Sequence, residues 1–306
     1  MDLVGSPAAL RRWTVASLVA NIAIVVTGGL VRVTSSGLGC STWPQCEPGS
    51  YVPHPDAGIH AYIEFGNRML TFVLVIVAIG TLLAAWRARD AAGVPRPVVR
   101  GLAIAVIAGI VAQAVIGGIS VLVQLNPWVV GAHLLPSIAL IGACVLLVHE
   151  AYGRRPVPVA PSVRRVVRTL VFFGVAAMLL GVVVTGAGPN SGAGGASRNG
   201  FDLAQTARVH SLTVWVVVAL TIGLLVACRV NPGARRAVLL VLGVELFQAA
   251  VGYAQYFLAL PPWLVTLHMV GTALFTAALA NLWWLTRTPA PASVAIRTEA
   301  GRSQQR

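Results

Sequence analysis

Three chemically active side chains open one of the most apolar runs of this sequence. In the stretch IEFGNRML, residues 63–70, Glu64 carries a carboxylate, Asn67 an amide and Arg68 a guanidinium. Ionisable groups at the mouth of such a run are costly in a membrane, so a functional site is the first hypothesis for them. A carboxylate there could move protons, and a guanidinium could pair with an anionic group of a ligand. The alternative is that Glu64 is a structural partner of Arg68 or Arg208.

Three histidines offer a second kind of chemistry. His133, His210 and His268 each lie near the start of an apolar run. Six residues into a helix correspond to roughly 9 Å of depth, at 1.5 Å per residue. Two imidazoles at matched depth on different helices are the arrangement that holds a haem iron from both sides. A single histidine would more simply be a hydrogen-bonded core residue, but the pair His210 and His268 predicts a haem site with both as iron ligands.

The composition places these side chains in a membrane protein. Of the 306 residues, 57% are hydrophobic and 10% are charged, and the mean hydropathy is +0.81. Such values exclude an ordinary soluble domain. A helix needs roughly 20 residues to cross about 30 Å of hydrocarbon. We expect an all-α polytopic fold with eight transmembrane helices, near residues 13–34, 61–86, 99–123, 128–149, 166–187, 206–228, 236–258 and 264–286.

The positive charge reports topology rather than nucleic-acid binding. The net charge of +13 comes wholly from arginine, because the chain has no lysine. Only Arg32, Arg68, Arg198 and Arg208 fall in the odd-to-even connections or beside them. Positive loops stay in the cytoplasm. We therefore expect a cell-membrane protein with both termini cytoplasmic and with these four arginines near the outer face.

An internal repeat divides the chain into halves. Three pairs of segments recur at a constant offset of 135 residues: Gln113–Gly117 and Gln248–Gly252, Pro127–Trp128 and Pro262–Trp263, and His133 and His268. Each unit holds an even number of helices, so both copies insert in the same orientation about a pseudo-twofold axis along the membrane normal. This predicts one four-helix bundle over residues 1–155, a second over residues 156–288, and a disordered cytoplasmic tail over residues 289–306.

The two predicted bundles differ in their ligands. By symmetry His133 should face a partner from the second helix, but the residue equivalent to His210 is Asn67, and asparagine is a poor iron ligand. His60 lies seven residues earlier, on nearly the same face, and could replace it only if the helix or the haem shifted outward. We therefore expect a five-coordinate or weakly coordinated haem in the N-terminal bundle.

A cysteine pair lies in the first outer loop. Cys40 and Cys46 bracket the segment STWPQ on the oxidising side of the membrane. Two nearby thiols in that compartment most often form a disulfide. A metal site is disfavoured because no adjacent histidine pair completes it. A redox-active role for the pair stays open.

The ordered set of these features resembles the haem A synthase family of the bacterial type. The resemblance covers nearly the whole chain, from the first helix to the eighth. It is carried by the run GGLVRVTSSGLGC from Gly28 to Cys40, by Trp43-Pro44 and Cys46, by Glu64-x-x-Asn67-Arg68, and by His133, His210 and His268 on even-numbered helices. The family commonly has Glu-x-x-His-Arg where this sequence has Asn67, so the resemblance does not imply two histidine ligands for the substrate haem.

The resemblance implies a reaction and a cofactor. Members of the family convert haem O to haem A by oxidising the C8 methyl group to a formyl. Carried over, this implies that the C-terminal bundle holds a haem B cofactor through His210 and His268. The implied partners are a haem O donor such as haem O synthase, the cytochrome oxidase assembly pathway, and an electron acceptor that the sequence does not identify.

The resemblance also implies roles in the N-terminal bundle. Haem O would bind near His133, with Asn67 and Arg68 in the same site. Glu64 matches the acidic residue of the family motif, which implies a catalytic role. Cys40 and Cys46 match the cysteine pair of the family's outer loop.

Two rival functions use similar features. A di-haem b-type electron-transfer protein, such as a quinol-oxidising cytochrome, would need two complete histidine pairs, whereas this chain has one complete pair and one defective pair. A transporter would have broken helices around a site at the membrane midplane. The polar residues of this chain cluster near the outer ends of the helices instead.

Overall fold

The computed structural model describes residues 4–90, 92–190 and 192–288. Within these ranges the chain forms eight α-helices, and the only β-type pairing is two isolated bridges. The helices are α1 (Pro7–Val33), α2 (Ile59–Arg87), α3 (Pro97–Leu122), α4 (Pro127–Ala151), α5 (Pro161–Ala187), α6 (Leu203–Ala227), α7 (Pro232–Phe257) and α8 (Pro262–Thr286). The tail expected over residues 289–306 lies outside the described ranges.

The helix starts follow from local sequence. Six of the eight helices have proline in their first turn, where the missing N–H costs no hydrogen bond. Side chains also cap several starts; Ser6, Asn126, Asp202 and Asn231 each accept a bond from a first-turn N–H. Most of the helices therefore begin a few residues before the apolar runs that predict them.

The helix surfaces fit a lipid environment. All eight helices are long and apolar enough to cross a membrane. Large apolar side chains such as Phe72, Ile76, Phe172 and Leu212 are more than half exposed in the isolated chain. Since a soluble protein would not present such continuous apolar surface to water, the prediction of an all-α, multi-pass membrane protein with eight spanning helices is confirmed.

The helices fall into two sets of four that also pack against each other, α1 and α4 against α8 and α4 against α5. In the first, here the N-terminal half, α1 contacts α2 and α4, and α3 contacts the same two helices. In the second, the C-terminal half, α5 and α7 each contact α6 and α8. Each set has its own buried core, around Val106 and Leu147 in the first and around Leu224 and Leu282 in the second. The pseudo-twofold relation between the sets and the domain bounds stay predictions.

The connection between the last two helices is built alike in both halves. Gln124 and Leu125 after α3, and Ala259 and Leu260 after α7, all adopt positive φ values between 53° and 60°. These two pairs are again 135 residues apart, and each precedes the proline that starts the next helix. The repeat seen in sequence therefore extends to a backbone conformation that residues with side chains seldom adopt.

Polar and aromatic contacts brace the halves against each other at both ends of the helices. We call the end at which α1 ends and α2 begins the outer end, and the opposite one the inner end. At the inner end His149 stacks on Trp284 with ring centres 4.0 Å apart, and Arg287 lies 3.2 Å from Glu150. At the outer end Arg32 of α1 donates hydrogen bonds to the carbonyl oxygens of Asn190 and Thr185, at 2.7 and 3.3 Å.

Candidate functional site

Two imidazole rings lie close together in the C-terminal half. His210 lies seven residues into α6 and His268 six residues into α8, both near the outer end. Their ring centres are 6.5 Å apart and their planes are inclined by 75°. His210 Nδ1 donates a hydrogen bond to the carbonyl oxygen of Ala177 on α5, at 2.9 Å. That bond leaves His210 Nε2 free to act as a ligand.

The separation of the two rings fits a bound haem iron. Two iron–nitrogen bonds of about 2 Å, with about 1.1 Å from each nitrogen to its ring centre, place opposed ring centres about 6 Å apart. The 6.5 Å between His210 and His268 is close to this span. His268 Nδ1 is buried and has no hydrogen-bond partner among the described residues. The donor set and its spacing therefore fit a haem that both histidines would hold.

A glycine lies against each of the three predicted ligands. A Cβ atom built on Gly117, Gly181 or Gly252 would lie 3.2 to 3.4 Å from Cε1 of His133, His210 or His268, respectively. Larger side chains at these positions would displace the imidazoles. The sequence prediction did not identify these residues as part of a site, although Gly117 and Gly252 close the two copies of the repeated five-residue segment.

The N-terminal half has one histidine at the equivalent depth. His133 lies six residues into α4, as His268 does in α8, and its Nδ1 is also buried without a partner in the described part of the chain. Asn67 on α2 accepts a hydrogen bond from Thr27 of α1, 2.8 Å from hydroxyl to amide oxygen. His60 is exposed and its Nδ1 lies 2.9 Å from the Ser36 hydroxyl. The contacts of Asn67 and His60 are thus with α1 and the loop after it.

Glu64 and Arg68 tie α2 to the first outer loop. Arg68 Nη2 lies 2.6 Å from Glu64 Oε1, and the backbone N–H of Cys40 donates to Glu64 Oε2 at 2.7 Å. Arg68 also donates to the carbonyl oxygens of Thr42 and Gln45, both at 3.0 Å. These contacts match the structural alternative considered for Glu64, and they occupy both carboxylate oxygens and most donors of the guanidinium.

The outer loop is closed by a disulfide and seated on the N-terminal half. Cys40 and Cys46 form the predicted disulfide, and both are fully buried. The indole of Trp43, inside the closed loop, packs directly against Gly118 of α3. Gly118 follows the glycine that faces His133, so the loop covers α3 beside this histidine.

A hydroxyl group links each repeated glutamine to the next helix. Gln113 Nε2 donates to Ser137 Oγ in the N-terminal half, and Gln248 Nε2 donates to Thr272 Oγ1 in the C-terminal half. Ser137 and Thr272 are also 135 residues apart. The sequence prediction used the glutamines only as markers of the repeat; the shared offset of the two hydroxyl residues was the signal that could have identified their partners.

Comparison with known proteins agrees with these features. The chain matches the COX15-CtaA family model, described as cytochrome oxidase assembly protein, over residues 11–280. It is 31% identical to the heme A synthase of Geobacillus thermodenitrificans over 140 residues, which are 45% of this chain and 42% of that protein. For the heme A synthase of Listeria welshimeri the identity is 31% over 139 residues, 45% of this chain and 44% of the relative.

A third relative gives a similar match. The heme A synthase of Paramagnetospirillum magneticum is 32% identical over 161 residues, which are 49% of this chain and 43% of the relative. The chain therefore spans less than half the length of these curated relatives. The family model, in contrast, covers all eight helices from α1 to most of α8. This chain belongs to the COX15-CtaA family of cytochrome oxidase assembly proteins.

Proposed function

We propose that this protein is a haem A synthase, an oxidoreductase that oxidises the C8 methyl group of haem O to a formyl group. The observation that carries the proposal is the 6.5 Å separation of the His210 and His268 rings, which suits two histidines that would hold one haem iron between them. Membership of the COX15-CtaA family and the names of the relatives support the same reaction. The product would be haem A for cytochrome oxidase.

In this proposal the C-terminal half keeps haem B as a permanent cofactor. His210 and His268 hold it, Ala177 O fixes the tautomer of His210, and Gly181 and Gly252 leave room for the two rings. The haem supplies redox chemistry, while the chain supplies position and electrostatics.

The N-terminal half is the proposed substrate half. His133 is its one histidine equivalent to a cofactor ligand, and Asn67 takes the place of the second. An incomplete ligand set suits a haem that must enter and leave, because fewer protein–iron bonds have to break. The loop closed by Cys40 and Cys46 covers this half from outside, which would exclude water from the substrate.

Glu64 and Arg68 lie at the edge of the proposed substrate site. We propose Glu64 as the catalytic carboxylate that moves protons during methyl oxidation, and Arg68 as a partner for a haem propionate. Both side chains already bind the outer loop. They would therefore act from fixed positions, Glu64 about one helical turn before Asn67 and Arg68 directly after it.

Location and partners follow from the same proposal. The arginine-rich inner connections support a location in the plasma membrane with both termini in the cytoplasm. Haem O synthase would donate the substrate, and an electron acceptor of another kind would take the electrons. The asymmetry between Asn67 and His210 favours the synthase over a di-haem electron-transfer protein, which would need two complete pairs.

Haem analysis of the purified protein tests the proposal. The full chain is expressed in cells that make haem O, purified in detergent, and its haem is extracted and separated by chromatography. Haem B together with haem O or haem A is the expected result. Haem B alone would favour the electron-transfer protein, and a colourless preparation from haem-replete cells would overturn the assignment.

A further inference from the structure

The same hydrogen-bonded chain occurs beside His133 and beside His268. In the C-terminal half Gln248 Nε2 donates to Thr272 Oγ1 at 3.2 Å, and Thr272 Oγ1 donates to the carbonyl oxygen of His268 at 3.0 Å. In the N-terminal half Gln113 donates to Ser137, whose hydroxyl lies 3.5 Å from the carbonyl oxygen of His133. Each glutamine thus contacts the helix that carries the histidine, at a hydroxyl residue one turn after that histidine.

Each half also contains two buried polar atoms that complement each other. Oε1 of Gln113 and of Gln248, and Nδ1 of His133 and of His268, are buried without a hydrogen-bond partner in the described ranges. A histidine that binds iron through Nε2 carries its proton on Nδ1, so this nitrogen becomes a donor. The amide oxygen is an acceptor. A buried donor and a buried acceptor that lack partners are both destabilising, so hydrogen bonds that join them stabilise the protein.

The contacts of α7 and α8 place these two groups near each other. The ring of His268 lies against Gly252, and Gln248 lies one turn before that glycine on α7. Oε1 of Gln248 packs against Gly271, within one turn of His268 on α8. Along the helix axes the two groups are therefore offset by about one turn, or about 5.4 Å, which is similar to the span of a single water with hydrogen bonds of about 2.8 Å on each side. Gln113 and Gly117 have the same spacing.

We propose that Gln248 and Gln113 are positioning residues for His268 and His133, each joined to the imidazole Nδ1–H through one buried water. The proposal rests on the proposed function, because only ligation of iron by Nε2 places the proton on Nδ1. His210 differs, since its Nδ1 bonds directly to a backbone carbonyl. One axial ligand of the cofactor is therefore oriented by backbone and the other by a replaceable side chain.

Spectroscopy of the purified holoprotein tests the role of Gln248. An acceptor on Nδ1–H makes the imidazole a stronger ligand and favours ferric iron. Gln248→Leu removes the acceptor and should raise the midpoint potential of the low-spin haem and shift its EPR g values. Gln248→Glu keeps an acceptor and should move the potential in the opposite direction. Opposite shifts from the two variants are not expected of a residue that only fills space.

Two further variants separate the outcomes. The matched control is Thr276→Val, which changes a buried hydroxyl on α8 one turn after Thr272. This variant should leave the midpoint potential and the g values unchanged. Gln113→Leu should leave the cofactor signal unchanged and reduce the content of haem O. Equal potentials for Gln248→Leu, Gln248→Glu and wild type would overturn the inference, as would loss of all haem from both Gln248 variants. Absence of haem B from the wild type would instead refute the proposed function.

Discussion

Glu64 and Arg68 form an ion pair, with Arg68 Nη2 2.6 Å from Glu64 Oε1, and both residues hold the same outer loop. The side chains are 7% and 19% exposed, so solvent screens the pair little. Residues four apart share one face of α2. The pair therefore fixes the loop that contains Cys40 relative to the helix that carries Asn67.

Substitutions of Glu64 should separate its structural and catalytic roles. Glu64→Leu leaves a largely buried guanidinium without its carboxylate, which costs about 3–5 kcal/mol when no other partner compensates. Because Arg68 keeps its carbonyl partners, we expect the lower end of that range and a clear fall in Tm. Glu64→Gln keeps hydrogen-bonding atoms in place and should change Tm far less. Tm from thermal denaturation and haem O conversion are measured on both variants.

The two readouts then decide the role of Glu64. A Glu64→Gln protein with nearly normal Tm and strongly reduced conversion supports a catalytic carboxylate. Normal conversion by this variant would leave Glu64 as a loop anchor only.

The three histidines should divide into two classes. His210→Ala and His268→Ala should each abolish the same low-spin haem signal, because either change removes an axial ligand of one iron. His133→Ala should retain that signal and lose haem O conversion. Optical and EPR spectra, with a conversion assay, provide the check. If only His133→Ala lost the low-spin signal, the assignment of the two halves would be reversed.

The glycine beside His268 should be required for cofactor binding. Gly252→Val places methyl groups where a Cβ alone would already lie 3.4 Å from His268 Cε1. We expect the haem B content of the purified protein to fall at least several-fold. Gly243→Val is the control on the same helix, since a Cβ there meets nothing within 4 Å. Equal haem content in the two variants would contradict the contact.

Restoring the missing histidine should change the substrate half. Asn67→His supplies a second imidazole at the position equivalent to His210, so we expect a second low-spin haem signal and slower release of haem. EPR and haem stoichiometry measure this. Adding His133→Ala to the variant should remove the new signal while the first one persists. An unchanged spectrum for Asn67→His would show that this position does not reach the iron.

The helices and the histidine positions could be predicted because they depend on local patterns. Apolar runs, arginine placement and the 135-residue repeat indicate eight helices and place His133 and His268 at equal depth. The disulfide was also predictable, since Cys40 and Cys46 are only six residues apart.

Contacts between distant segments could not be predicted in the same way. Thr27 is 40 residues from Asn67, and Ala177 is 33 residues from His210. Which carbonyl or hydroxyl meets a side chain depends on the rotation of each helix about its axis, and the nearly uniform apolar composition of these helices leaves that rotation undefined. The anchoring of Arg68 by loop carbonyls is unpredictable for a related reason, because backbone acceptors leave no mark in the sequence.

The braces at Arg32 and at the stacked His149 and Trp284 lie at opposite ends of the interface between the halves. An interface fastened at both ends resists hinge-like opening. A porphyrin exchanged during turnover would then pass sideways between neighbouring helices of one half, directly from the bilayer.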